Sequence, residues 1–543
     1  MDVSIGTIWE AVSRALPDAV AIVEPGREIT YRQFDERASR LAAALEDAGV
    51  RAGDTVACYL YNGAAYLETV YAAFKLGAVP ANANYRYTGE ELSELLTDAD
   101  AAAVVFSGAL ADRVTHAAGH VQTLKLLVRV GEPPAGGPAG PDVPELEDLL
   151  AAHAPRVPRP RPGSDRLFMY TGGTTGKPKG VIWQLSDLLH ALTVPVFHPL
   201  GVRELPATLD EAVAIAVEAH HEKRAPTTMP VVPLMHATGL FNTMGALMVG
   251  GRAVMARQGG LDPEHMWHTV AEQRVDTVIV AGNAVCRPLV DELRRAEAAG
   301  RGHDLGFLRR LISSGTALDD RLKRALHERA GITVIDAIAS SEGGPFAFAI
   351  TSSARDLPAR FFPAPATSVI GDDDRFIGPG SGETGILAFR GPMPLGYYKD
   401  TEKSARTFRT IDGVRYAIPG DLAQIEADGA IRFLGRGSGV INTGGEKVHP
   451  QEVETVLLTH PEVTDCVVVG VPDETWGECV AAVVAVPPNA TVTGDQLRDW
   501  VRRSLAGYKV PRSVVLTDVL PRTPTGKIEI AWARRAARNA GPA

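Results

Sequence analysis

Short β-rich runs alternate with stretches of helical spacing along this chain, and few architectures accept that order. Thr55–Leu60, Ala102–Phe106 and Thr277–Val280 read as strands, and Ala64–Leu76 and Glu90–Asp98 as helices. The alternation predicts an α/β fold with mainly parallel sheets. Thr30-Tyr31-Arg32-Gln33 reads as a capping box, in which a Thr hydroxyl and a Gln amide close the first helical turn. Phe34, Ala38, Leu41, Ala42 and Leu45 then recur at helical spacing, and Gly49 is placed to stop the helix. At 543 residues the chain exceeds what one core can serve, so two or more domains are expected.

Composition removes several functional classes. The formal charge of -10 leaves no chain-wide basic footprint for nucleic acid. Cys58, Cys286, Cys466 and Cys479 lie far apart without a CxxC pair, which suits a reducing cytoplasm better than a disulfide scaffold or a zinc site. No positive segment followed by an apolar one marks a signal peptide at the start, and no apolar run approaches the ~20 residues of a membrane span. A cytoplasmic protein is expected, with a homodimer as no more than the base-rate oligomer.

Two segments read as connectors. Gly131–Pro144 is rich in Gly and Pro, and Pro155–Ser164 interleaves four prolines with arginines, predicting an extended, solvated strap. Glu204–Thr228 reads as a polar, partly helical insertion. Gly435-Arg436-Gly437-Ser438-Gly439 makes a poor strand interior and a good hinge. Beyond it, a helix after Pro450, strands at Val463–Val471 and Val480–Val486, a helix over Asp495–Leu505 and a strand at Ser513–Leu516 predict a small α+β domain. The expected division is a domain of 1–436, a hinge at 437–439 and a domain of 440–543.

The apolar run Leu167–Tyr170 feeds Thr171, Gly172, Gly173, Thr174, Thr175, Gly176, Lys177, Pro178 and Lys179. A strand entering a loop of Gly, Thr and Lys suits phosphate: backbone N–H groups approach the oxygens, hydroxyls donate, and lysines supply charge. The loop is not a Walker A motif, since Thr171 and Pro178 stand where that motif needs Gly and Ser/Thr. Taken alone, it reads almost as well as a surface turn.

Its company decides the reading. The loop resembles the phosphate signature of the acyl-adenylate-forming superfamily. Pro233–Gly239, Asp336–Glu342, Pro419-Gly420-Asp421, Leu434–Arg436, Gly470–Glu478 and Pro521–Lys527 resemble that superfamily's later motifs, in order. Pro80–Tyr87 and Ile441–Val453 are similar to actinobacterial CoA ligases for fatty acids and steroid-derived acids. The resemblance implies an N-terminal domain of packed αβ subdomains and a small mobile C-terminal lid. It implies ATP, Mg²⁺ and coenzyme A as cofactor and co-substrates, and a carboxylic acid activated as acyl-AMP before transfer to the thiol.

On that resemblance, Lys527, His236 and Glu342 are the candidate catalytic residues. Lys527 would bridge the carboxylate and the α-phosphate. His236 lies between acyl pocket and thiol entry, where a packed histidine and a proton-handling one are equally good readings. Glu342, with Thr174, would hold the metal. Thr171–Lys179, Gly315, Asp336, Ala337, Ile338, Ser341, Asp421 and Arg436 would bind the nucleotide, with Asp421 on the ribose hydroxyls. Met235, Leu240, Phe241, Asn283, Ala284 and Thr316 would line the acyl pocket. Ile338, Ala339 and Ser438 depart from the family pattern, which often has an aromatic, Gly and Asp or Lys there. Two other readings stand beside acid–CoA ligation. One is adenylate chemistry passed to a non-thiol acceptor, as in amide ligases or nitrite-activating diazotases. The other is a non-enzymatic adenylate-binding domain.

Overall fold

In the computed structural model the side chain of Thr30 accepts from Gln33 N–H, and the Gln33 amide oxygen accepts from Thr30 N–H. Helix Tyr31–Asp47 follows, and Gly49 takes the left-handed conformation that ends it. The structure describes residues 2–133, 143–172, 178–257, 260–371, 373–436, 439–443, 446–473, 477–505, 507–522 and 528–539. The chain divides into two compact units, Met1–Arg360 with Arg390–Arg409, and Phe361–Phe389 with Thr410–Ala543.

Two sheets organise the first unit. One runs in the order Gly343–Thr351, Thr333–Ser340, Arg310–Ser314, Thr277–Val280, Thr227–Pro230, Arg252–Val254, Val20–Glu24, Arg27–Thr30. Its inner pairs are parallel, and an antiparallel pair closes either end. The other runs Gly396–Tyr397, Pro178–Gln184, Arg166–Gly172, Val79–Asn82, Thr55–Tyr59, Ala101–Ser107, Leu126–Val130. It is parallel from Arg166–Gly172 onward and antiparallel across Pro178–Gln184. These are the alternating α/β elements that the sequence predicts, with helices Ala64–Leu76 and Gly89–Asp98 between the strands.

The N-terminal helices pack by aromatic contact. Trp9, on helix Ile5–Ala15, meets Phe34, Tyr71 and Phe74 with ring centroids 5.1–6.1 Å apart. Each buried ring is worth about 1.5–3 kcal/mol of transfer free energy. Polar tips are satisfied by distant backbone: Trp9 Nε1–H donates to Met244 O at 3.3 Å, and Tyr31 O–H to Gly251 O at 2.6 Å. Residues of the Pro155–Ser164 strap are largely exposed, as expected, and the strap is tied down by Ser4 N–H on Arg161 O and Arg161 on Asp165. The polar insertion carries helix Leu209–His221.

The second unit departs from the expectation of mainly parallel sheets. Thr367–Ile370, Gly385–Phe389, Val414–Ala417, Asp421–Ile425 and Ile431–Arg436 pair antiparallel wherever they meet. Tight connections explain it: a turn with Gly429 at φ 89° joins Asp421–Ile425 to Ile431–Arg436, far too short for a parallel crossover. A second sheet orders Glu446–Val448, Ile441–Thr443, Gly477–Ala485 and Asp465–Asp473, with Ser513–Thr517 parallel to Gly477–Ala485. Helices Pro450–Leu458 and Gly494–Arg502 bury Val453, Leu457, Leu497 and Val501 in one core with it. This is the α+β character read from the sequence.

Candidate active site

Strand Arg166–Gly172 delivers the chain to the glycine-rich loop, and Pro178–Gln184 carries it back. Thr171 stands opposite Lys179 and Gly172 opposite Pro178. Gly173, Thr174, Thr175, Gly176 and Lys177 lie outside the described residues. The entry strand is clamped from the side. Asn82 Oδ1 accepts from Tyr170 N–H at 2.6 Å, and its amide donates to Tyr170 O at 2.9 Å and Met235 O at 2.7 Å. One buried side chain thus ties the phosphate strand to the residue before His236. Tyr170 O–H donates to Asp98 at 2.8 Å, and burial pushes its phenol well up.

The exit strand is fixed to the acidic motif. Trp183 Nε1–H donates to Ser341 O at 3.1 Å. Glu342 follows, 7% exposed, and Tyr397 O–H donates to its Oε1 at 2.6 Å. Tyr397 comes from the edge strand Gly396–Tyr397, which pairs with Ile182 and Val181 of the same exit strand. Three residues on, Asp400 meets Lys179 Nζ at 3.3 Å. The backbone N–H of Lys403 foremost, with Lys179 beside it, holds the Asp400 carboxyl below its usual range.

Strand Thr333–Ser340 slips register between Ile338 and Ser340, so Ala339 occupies a β-bulge and faces solvent. Asp336, singled out for the nucleotide, is paired with Lys323 at 2.9 Å, and the two side chains are 5% and 2% exposed. Burial pushes the Asp336 carboxyl up against the opposing pull of Lys323. Ala337 O accepts from Ser314 O–H at 3.0 Å. Gly315 takes φ 93°.

The candidate pocket residues divide. Asn283 opens helix Gly282–Ala298 and staples the next loop, its Oδ1 accepting from Asp319 N–H and its N–H donating to Ala317 O. Thr316 O–H donates to Ala281 O. Both act in holding the loop, a role that the sequence pattern did not signal; Ala284 follows on the same helix. Met235 and Leu240 are buried, and Phe241 sits edge-on to Trp183 at 6.0 Å. His236 occupies the N-cap position of helix Ala237–Met248 without a side-chain cap bond.

Asp421 and Arg436 belong to the second unit, where they face each other in register on antiparallel strands. Asp421 is buried there. Lys527 lies outside the described residues, as do Gly437 and Ser438 of the expected hinge.

Residues 9–398 match the AMP-binding enzyme family, and 452–527 the AMP-binding enzyme C-terminal domain. The chain belongs to the AMP-binding enzyme family. This AMP-binding enzyme is 36% identical to the 3-oxocholest-4-en-26-oate–CoA ligase of Rhodococcus rhodochrous, over 98% of this chain and 96% of the relative. It is 37% identical to a medium/long-chain-fatty-acid–CoA/3-oxocholest-4-en-26-oate–CoA ligase of Mycobacterium tuberculosis strain H37Rv, over 98% and 95%. Its fold is that of the anthranilate CoA ligase AuaEII in complex with anthranoyl-AMP, with TM-score 0.82 at 23% identity over 99% and 98% of the two chains. Among the described residues of this AMP-binding enzyme, no three His, Cys, Asp or Glu side chains converge as a metal cage. No described helix is long and apolar enough to cross a membrane.

Proposed function

We propose that this enzyme activates a hydrophobic carboxylic acid with ATP and passes the acyl group to coenzyme A. The observation that supports the reading is that the strand leaving the glycine-rich loop is tied to Ser341 through Trp183 and, through its neighbour Tyr397, to Glu342, in a chain with full-length similarity to CoA ligases. In the first step a carboxylate oxygen attacks the α-phosphorus, the bond to pyrophosphate breaks, and acyl-AMP forms. In the second, the thiol attacks the acyl carbon and AMP leaves.

The protein's part is positioning and electrostatic stabilisation. Thr171 and Lys179, with the loop between them, hold the β- and γ-phosphates. Asp421 accepts from the ribose hydroxyls and Arg436 adds donors. Glu342 is the carboxylate for Mg²⁺: a hard cation that arrives with phosphate oxygens needs one or two protein carboxylates, not a cage. Bound there, the ion would neutralise charge building on the phosphates. Lys527 bridges the carboxylate and the α-phosphate. Met235, Leu240 and Phe241 give the acyl side an apolar character suited to a fatty or steroid side-chain acid. The same reading divides the chain at 437–439, between a nucleotide-binding domain and one that carries Lys527. Four buried free cysteines fit a reducing, cytoplasmic setting.

The test is a product assay with ATP, Mg²⁺ and a panel of fatty, steroid and aryl acids, with and without coenzyme A, read by mass spectrometry. Acyl-CoA with stoichiometric AMP is expected. Lys527→Ala should lower adenylation by ~10²–10³, the loss usual for one preorganised donor. AMP release indifferent to coenzyme A would overturn thiol transfer and point to an amine or nitrite acceptor.

A further inference from the structure

Glu342 owes its orientation to a segment that no motif marks. Tyr397 O–H reaches Glu342 Oε1 at 2.6 Å, and both groups are buried. The phenol is itself held from two sides. Its backbone is pinned by Ser404, whose Oγ accepts from Tyr397 N–H at 2.8 Å and donates to Asp400 O at 2.6 Å. Its ring lies under Lys403 Nζ, 4.0 Å from the centroid. Gly396 leaves room for this: a Cβ there would come 2.8 Å from Ser404 Oγ. The segment also reaches the phosphate strand, through the Asp400–Lys179 pair and through backbone pairing with Val181 and Ile182. A short helix, Thr401–Thr407, holds these residues in one frame, with Asp400 as its N-cap.

We propose that Tyr397 is a positioning residue for the magnesium nucleotide: supported by Ser404 and Lys403, it fixes the Glu342 carboxylate in the orientation that receives the metal. The inference rests on the reading of Glu342 as metal ligand given above. A carboxylate on a rotatable side chain pays ordering entropy each time it takes up an ion. A hydrogen bond from a rigid phenol removes that cost in advance, and it also fixes which oxygen is engaged. Outer partners of this kind typically change metal affinity 10–100-fold when removed.

The experiment is calorimetric titration of the full-length protein with ATP across a magnesium series and without metal, with no acid present, so that binding rather than turnover is read. Tyr397→Phe should raise the magnesium concentration at half-saturation ~10-fold or more, while metal-free ATP affinity stays as in the parent. Ser404→Ala should move it in the same direction by less, and serves if the phenylalanine variant proves unstable. Glu342→Gln should abolish the magnesium dependence. Unchanged half-saturation in Tyr397→Phe, with the dependence lost in Glu342→Gln, overturns the inference alone. A dependence retained in Glu342→Gln overturns the reading of Glu342 and this inference with it. An equal loss of metal-free and magnesium-dependent binding in Tyr397→Phe shows a general packing role and also overturns it.

Discussion

Lys323 and Asp336 form an ion pair at 2.9 Å from which water is almost excluded, although Asp336 lies in the motif that the sequence assigns to nucleotide binding. Desolvation of two charges offsets most of their attraction, so such a pair fixes geometry more than it stabilises. Lys323→Met should cost about 3–5 kcal/mol, because it leaves a buried carboxylate alone. The double variant Lys323→Met/Asp336→Leu should recover most of that loss. Thermal midpoints of the single and double variants check both statements.

Asn82 closes three hydrogen bonds with one amide, on Tyr170 N–H, Tyr170 O and Met235 O. Asn82→Ala leaves all three backbone groups without that partner, at about 1–3 kcal/mol for each group left unsatisfied. Asn82→Asp keeps the acceptor for Tyr170 N–H and loses both donors. Both variants should raise the KM for ATP more than they lower kcat, the alanine variant further, since the phosphate strand is what they loosen. Steady-state kinetics with saturating acid separate the two parameters.

Gly282 has φ 52°, and a Cβ there would fall 2.2 Å from Thr316 Oγ1 and 2.4 Å from Ala317 O. Gly282→Ala must therefore displace the loop that Asn283 staples. A destabilisation of at least about 1–3 kcal/mol is expected, from left-handed strain before any clash is counted. Thr316→Ala/Gly282→Ala should not rescue it, because the Ala317 carbonyl stays in the way. Denaturation curves of the two variants decide the point.

Glu454, on helix Pro450–Leu458, accepts from Val468 N–H at 2.9 Å, and burial, with Asp465 adding repulsion, pushes its carboxyl up from 4.5 to about 7. A folded-state value above the unfolded one contributes stability that is full below about 4.5 and lost as pH rises through about 7. The melting temperature of the transition containing the second unit should fall between about pH 5 and pH 8. Glu454→Gln should flatten that fall. Differential scanning calorimetry of parent and variant over this range provides the check.

What could be read in advance follows a physical line. The first capping box, helix spacing and the strand before the phosphate loop were legible because each is written in neighbouring residues: Thr30 with Gln33, Leu167–Tyr170 with Thr171. The α+β character beyond Pro450 was legible for the same reason. Asn82, Trp183, Tyr397 and Lys323 were not, since each acts on a residue that only the sheets or the packed helices bring near. Tyr397 and Glu342 are 55 residues apart, and Asn82 and Met235 are 153 apart. Asn283 and Thr316 were legible as polar residues near a glycine turn, but not as partners of the loop backbone. The antiparallel sheet over Thr367–Arg436 escaped because its strands are short, although its turns at Asp412-Gly413 and Gly429 are local hairpin signals.

The aromatic nest of the first helices has a consequence for synthesis. Trp9 finds its carbonyl partner 235 residues later in the chain, and Tyr31 finds one 220 residues later. A ribosome adding about 5–20 residues per second needs on the order of ten to fifty seconds to make that stretch. Through that interval the amphipathic helices Ile5–Ala15 and Tyr31–Asp47 are exposed without their final docking surface. The N-terminal helices are thus the first part of their unit to be made, yet they find these carbonyl partners only after residues 244–251 have been added.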